Sequence, residues 1–192
     1  MGSDQGATPG RQGPLGLGGV NHLALVSSDM ARTVDFYTGV LGMDLVKTID
    51  LPFGLGQHFF FDCGGGDCLA FFWFPDAPDG VPGISGPGAR PDQGSLTSAV
   101  ASMNHVAFDV APERLEECRD RLIAAGVECT EIANHDDSEL GISEELHSGV
   151  FVRSVYFFDP DGILLELAAW TRPFGRGEAD AMPKTAADRL GS

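Results

Sequence analysis

Two histidines occur in the same short context, Asn21-His22-Leu23-Ala24 and Asn104-His105-Val106-Ala107. One histidine on a strand reads first as a hydrogen-bonded core residue, whereas two at repeat-related positions form a chelating pair once the repeats come together. A third donor is Glu166, a lone carboxylate inside the apolar run Ile163-Leu164-Leu165-Glu166-Leu167. A buried charge without a partner is costly, so Glu166 requires either Arg153 on a neighbouring strand or a metal. Two imidazoles and one carboxylate hold a divalent metal and leave coordination positions open, the donor set of non-haem Fe(II) oxygenases. His22, His105 and Glu166 are therefore the expected metal ligands. Fe(II) is the expected ion, with Mn(II) or another divalent metal as the alternative.

The elements that must carry these side chains repeat as well. In the first half Asp29 suits a helix N-cap, and Met30, Val34, Tyr37 and Leu41 follow it at helical spacing. In the second, Pro112 suits a first helical turn, Leu115, Cys118 and Leu122 keep helical spacing, and Gly126 suits the position past the helix end. Apolar strand runs follow in each half, at 45–49, 58–62 and 69–74, then at 127–132, 150–158 and 163–170. The pattern is βαβββ twice, an α+β fold whose paired, curved, mixed sheets enclose a metal cleft. Strand alternation turns Leu23, Leu25, Val106, Phe108 and Val110 toward the helices, and His22 and His105 toward the cleft. The expected division is a disordered N-terminal tail over 1–19, a first unit over 20–75, a Pro/Gly-rich linker over 76–100, a second unit over 101–171 and a flexible C-terminal tail over 172–192.

Composition bounds the partners. A chain of 192 residues fits one domain or two fused halves. Its net charge of −16 repels phosphate backbones and anionic lipid, so neither nucleic acid nor a membrane surface is expected as a partner. No apolar run approaches the length of a membrane span, and no basic-then-apolar leader opens the sequence. Cys63, Cys68, Cys118 and Cys129 lack both CxxC spacing and the density of a disulfide scaffold, which points to reduced thiols in a cytoplasmic protein.

The segments NHLALVSSDMARTVDFYTGVLGM, NHVAFDV and SVYFFDPDGILLEL resemble the vicinal oxygen chelate superfamily, which includes glyoxalases, bleomycin-resistance proteins, thiol transferases acting on fosfomycin, and type I extradiol dioxygenases. The resemblance covers Val20 to Trp170 and implies paired βαβββ units with His22, His105 and Glu166 at the metal positions. Glyoxalase-type members take a fourth protein ligand from the last strand of the first half. Matching that strand to the Glu166 strand puts Phe71, or with a different gap Leu69 or Ala70, where the ligand would be. The segment HSGVFVRSVYFFDPDGILLE is similar to the extradiol signature, which implies catalytic roles for His147 and Tyr156 beside substrate and oxygen. An octahedral ion with three protein ligands has room for a catecholate and O2.

The expected activity is accordingly ring cleavage of a catechol-like or polycyclic aromatic substrate by an Fe(II)-dependent, extradiol-type dioxygenase. His147 passes a hydrogen bond or proton to the oxygen species, and Tyr156 stabilises the tetrahedral intermediate. Phe53, Phe59, Phe60, Phe61, Phe71, Phe72 and Trp73 concentrate aromatic surface in the first half, in keeping with a small aromatic substrate. One departure from the extradiol pattern is that residues 90–104 contain no acid–base histidine. His58 is the conceivable substitute, set against a structural role, and His135 reads as a hydrated loop residue. The alternatives are a glyoxalase-type isomerase or lyase, a thiol transferase, or a non-catalytic drug-binding protein of the same fold. A homodimer is open to the chain, because such units can pair within one chain or between two.

Overall fold

The computed structural model describes residues 14–175 and 177–189; residues 1–13 of the expected N-terminal tail, and residues 176 and 190–192 of the C-terminal one, lie outside the described residues. The first half opens with β1 (His22–Val26). Asp29 then caps helix α1 (Met30–Val34), its carboxylate accepting from the Arg32 amide at 3.1 Å. The helix widens into a π-helical turn over Asp35–Val40. Strands β2 (Asp44–Asp50), β3 (Gln57–Gly64) and β4 (Asp67–Trp73) complete a sheet of order β1-β4-β3-β2.

The second half repeats this course with β5 (Val106–Asp109) and helix α2 (Leu115–Ala124), which follows a 3-10 turn at Pro112–Arg114. Strands β6 (Ala133–His135), β7 (Ile142–Ser143), β8 (Val152–Phe158) and β9 (Leu164–Trp170) complete a sheet of order β5-β9-β8-β6-β7. In each sheet the opening strand runs parallel to its neighbour and the other pairings are antiparallel. The fold is α+β, two mixed sheets with a helix apiece.

Alternation sends one face of each sheet under its helix. Phe61 and Phe71 meet the Tyr37 ring at centroid distances of 5.6 and 4.9 Å. Val155, Phe157, Leu165 and Leu167 meet Leu115 and Leu122, and both sets belong to a single apolar cluster. The Asp159-Pro160-Asp161-Gly162 turn fastens the halves further. Tyr37 donates its hydroxyl to Asp159 Oδ2 at 3.1 Å, and the Ser28 amide donates to Asp161 Oδ2 at 3.0 Å. The two helix-covered faces thus share the interior, and the two histidine-bearing faces lie on the other side of each sheet.

Two expectations are corrected. The run 127–132 is not a regular strand, since only Cys129 bridges Phe157 there. Thr130 receives the Tyr156 amide on its hydroxyl at 3.0 Å, and its own carbonyl is taken by Arg119 Nε at 2.9 Å. The Thr130 amide still donates to the Tyr156 carbonyl at 3.0 Å, but these two bonds to side chains replace the ladder bonds beside it, and continuous pairing begins only at Ala133. The second correction concerns His135, which stands in β6 rather than in a hydrated loop. Residues 76–100 contain no helix or ladder strand, and the buried Arg90 fastens them to Glu128 at 3.2 Å.

Candidate metal centre

The register of β5, β9 and β8 brings one polar group together. Ala107 lies beside Glu166 across β5 and β9, and Tyr156 lies opposite Glu166 across β8 and β9. His105, two residues before Ala107, shares that face, and its Nε2 is 3.0 Å from Glu166 Oε2. The other Glu166 oxygen accepts the Ser154 hydroxyl, and the residue is only 5% exposed. Arg153 pairs instead with Glu116, at 2.7 Å, and so does not neutralise Glu166.

His105 Nδ1 is 2.8 Å from Asn104 Oδ1, and Asn104 Nδ2 donates in turn to the Leu96 carbonyl at 2.7 Å. An amide oxygen only accepts, so Nδ1 must carry a proton. Nε2, facing a carboxylate, then needs either a second proton or a cation in its place. Burial pushes the Glu166 carboxyl up, but hydrogen bonds from His105 and Ser154 outweigh it and hold the group below the ordinary carboxylate range. An ionised carboxylate beside an imidazole whose outer nitrogen is fixed by an amide is the donor chemistry that suits a divalent metal.

The first sheet reproduces half of this arrangement. His22 Nδ1 is 2.8 Å from Asn21 Oδ1, which fixes the same tautomer and leaves Nε2 as a potential ligand. Ala24 pairs with Ala70 as Ala107 pairs with Glu166, so Ala70, not Phe71 or Leu69, occupies the place of a fourth protein ligand. His22 itself is exposed and packs edge-on against Phe60 at 5.6 Å. Among the described residues no three His, Cys, Asp or Glu side chains of one chain stand close enough to share a metal. The structure therefore joins His105 to Glu166 and leaves His22 on the other sheet.

Tyr156 is buried beside this pair, its ring 5.9 Å from that of His105 and its hydroxyl 3.3 Å from His135 Nε2. Burial, followed by the Glu166 charge, pushes its phenol up to about 12, so it remains a hydrogen-bond donor at neutral pH. His147 is held elsewhere: Nε2 lies 3.2 Å from Asp136 Oδ2, and Nδ1 accepts from the Gly149 amide at 3.0 Å. The imidazole at the Tyr156 hydroxyl is His135. Sequence reasoning missed Asn21, Asn104, Ser154 and His135 as site residues. The asparagines were visible in the repeated Asn-His pair, and Ser154 shares the Tyr156 face by strand alternation. His135 had no local signal, because its strand is too short to show a period.

The family model of the Glyoxalase/Bleomycin resistance protein/Dioxygenase superfamily matches residues 19–167, and the chain belongs to that superfamily. The metallothiol transferase FosB of Shouchella clausii (strain KSM-K16) is 26% identical over 155 residues, which span 81% of this chain and 82% of that protein. A glyoxalase family protein from Enterococcus faecalis has a similar structure, with a TM-score of 0.54 at 24% identity over 78% of this chain and 96% of the other. So does the fosfomycin resistance protein FosX of Listeria monocytogenes, solved with Mn(II) and sulfate, with a TM-score of 0.50 at 23% identity over 80% of this chain and 93% of FosX. These two likenesses are likenesses of fold. No helix among the described residues is long and apolar enough to cross a membrane.

Proposed function

We propose that this superfamily member is a metal-dependent transferase that joins a nucleophile, a thiol in the first instance, to a small electrophilic substrate. Its centre forms between two copies of the chain, one providing His22 and the other His105 and Glu166. The observation that carries the metal is the His105–Glu166 contact, in which an imidazole already donating through Nδ1 turns Nε2 toward an ionised carboxylate. Assembly between copies is supported by β1. It is an edge strand, and Val26 is 50% exposed, with Val20 before it at 61%. An edge that presents apolar side chains and unpaired backbone groups is a surface for pairing.

When bound, a divalent metal polarises a substrate oxygen as a Lewis acid. The chain's own residues do the rest. Asn21 and Asn104 hold the imidazole tautomers, and Ser154 orients the Glu166 carboxylate. Tyr156, kept protonated by burial and by the Glu166 charge and held in place by His135, would donate to the substrate oxygen that takes up the electron pair when the sulfur–carbon bond forms and the carbon–oxygen bond breaks. Transfer is favoured over ring cleavage because the 26% identical relative is a metallothiol transferase and because His147 is engaged with Asp136 and Gly149, while the imidazole at the Tyr156 hydroxyl is His135. Mn(II) accordingly precedes Fe(II) as the ion to supply.

The test uses protein purified without chelators, assayed for bound metal and then supplied with Mn(II), fosfomycin and either glutathione or cysteine. A thiol adduct detected by mass spectrometry, with no oxygen uptake when Fe(II) and catechol are offered instead, is the expected result. Oxygen consumption with a ring-opened product and no adduct overturns the transferase reading. Absence of stoichiometric metal overturns the centre itself.

A further inference from the structure

Opposite its helix-covered side, the first sheet carries a strip of five rings that begins at His22. Phe60 lies 5.6 Å from His22, and His58 lies 4.3 Å from Phe60. Phe72 stacks on His58 at 3.6 Å and 5°, and Phe74 stacks on Phe72 at 5.3 Å and 9°. Alternation explains the strip: β3 turns Phe59 and Phe61 to the core and His58 and Phe60 to the open face, while β4 turns Phe71 inward and Phe72 outward. The corresponding positions of the second sheet differ in chemistry. Ser154 pairs with Ala168 there as His58 pairs with Phe72, and Tyr156 pairs with Glu166 as Phe60 pairs with Ala70. One open face holds His105 and Glu166, and the other holds rings beside His22.

His58 adds a polar group to the strip. It is 8% exposed, and its Nδ1 lies 3.1 Å from the Phe71 carbonyl, so Nδ1 donates. Nε2 is thereby an acceptor in the neutral ring, and no protein donor reaches it among the described residues. The flanking Phe60, Phe72 and Phe74 are half-buried.

We infer that this strip is the substrate wall of the centre and selects a planar aromatic group bearing a hydrogen-bond donor, laid against Phe60 and Phe72 with its donor on His58 Nε2. The inference rests on the proposed metal centre for its location beside His22, but ring recognition can be measured independently. The probes are 2-naphthol, its saturated counterpart decahydro-2-naphthol, and naphthalene, titrated calorimetrically into the Mn(II)-loaded and the metal-free protein.

The expected result is a preference of about tenfold for 2-naphthol over the saturated alcohol, since aromatic contacts add to simple area burial. Phe72→Leu should erase that preference while Mn(II) affinity stays unchanged, and Phe60→Leu should weaken it. His58→Phe keeps a ring in place but removes the acceptor, so 2-naphthol should bind no better than naphthalene. Equal binding of the two alcohols, or a preference that survives both leucine variants, overturns the wall. A preserved preference in protein that takes up no Mn(II) overturns the metal centre and leaves the wall standing.

Discussion

At the scale of single residues, the site is a problem of proton placement. His22 and His105 are each preceded by an asparagine whose amide oxygen accepts a hydrogen bond from Nδ1–H, and Glu166 is aligned by Ser154. Partners of this kind commonly tune metal affinity by about 10- to 100-fold, so Asn104→Ala should weaken Mn(II) binding by that factor in calorimetric titration. Glu166→Gln, which removes the carboxylate that faces His105 Nε2, should weaken it more. An Asn104→Ala protein with unchanged affinity would mean that the amide does not set the ring. The proposed donors stand out in the sequence because metal ligation demands particular residue types, and an isolated glutamate in an apolar strand is conspicuous. Their helpers stand out less, since a serine or asparagine has many ordinary uses. The distinction between His135 and His147 was beyond the sequence: signature spacing points to His147, but the short pairing of β6 with β8 is what carries His135 to the Tyr156 hydroxyl.

At the scale of elements, helices and central strands followed from period and caps, but contacts remote in the chain decided the segment after α2. Hydrophobicity over 127–132 suggested a strand, whereas only the Thr130 amide keeps a ladder-type bond, to the Tyr156 carbonyl, while the Thr130 hydroxyl takes the Tyr156 amide and Arg119 takes the Thr130 carbonyl. The turn between β8 and β9 shows a similar dependence on remote partners and has a measurable consequence. Asp159 is 6% exposed and accepts from the Asp161 and Ile163 amides, both at 2.8 Å, and from Tyr37. Burial pushes its carboxyl up to about 6 despite these bonds. The unfolded chain releases this proton near the usual value of about 4, so between about pH 4 and 6 the folded state binds more protons than the unfolded one. Stability should therefore fall as pH rises through that window and level off above it. Asp159→Asn keeps an acceptor oxygen but cannot ionise. Urea unfolding at pH 4 and pH 7 should show the variant gaining on the natural chain by about 2–3 kcal/mol across the window. Parallel pH profiles for the two proteins would exclude Asp159 as the titrating group.

At the scale of the whole molecule, the repeat was plain in the sequence, but the partner of each repeat was not. Both units offer one apolar and one histidine-bearing face, and that pattern is equally compatible with pairing within a chain or between chains. In the structure, the apolar faces share one cluster inside the chain, and His22 stands apart from His105 and Glu166. A centre built from two copies makes a prediction that no intrachain site can meet. A His22→Ala chain and a Glu166→Ala chain, co-expressed with different affinity tags and isolated through both, form a mixed dimer. One of its centres combines an intact His22 with an intact His105–Glu166 pair, while the other lacks two donors. The mixed dimer should hold one Mn(II), measured by metal analysis after gel filtration, and each parent alone should hold little or none. Were the three donors to meet within a single chain, every chain in the mixed dimer would carry a defect and its metal content would match that of the parents. Light scattering on the natural chain supplies the companion measurement: loss of the dimer on Val26→Asp, together with loss of Mn(II) despite intact His22, His105 and Glu166, would place the β1 edge at the interface that completes the site.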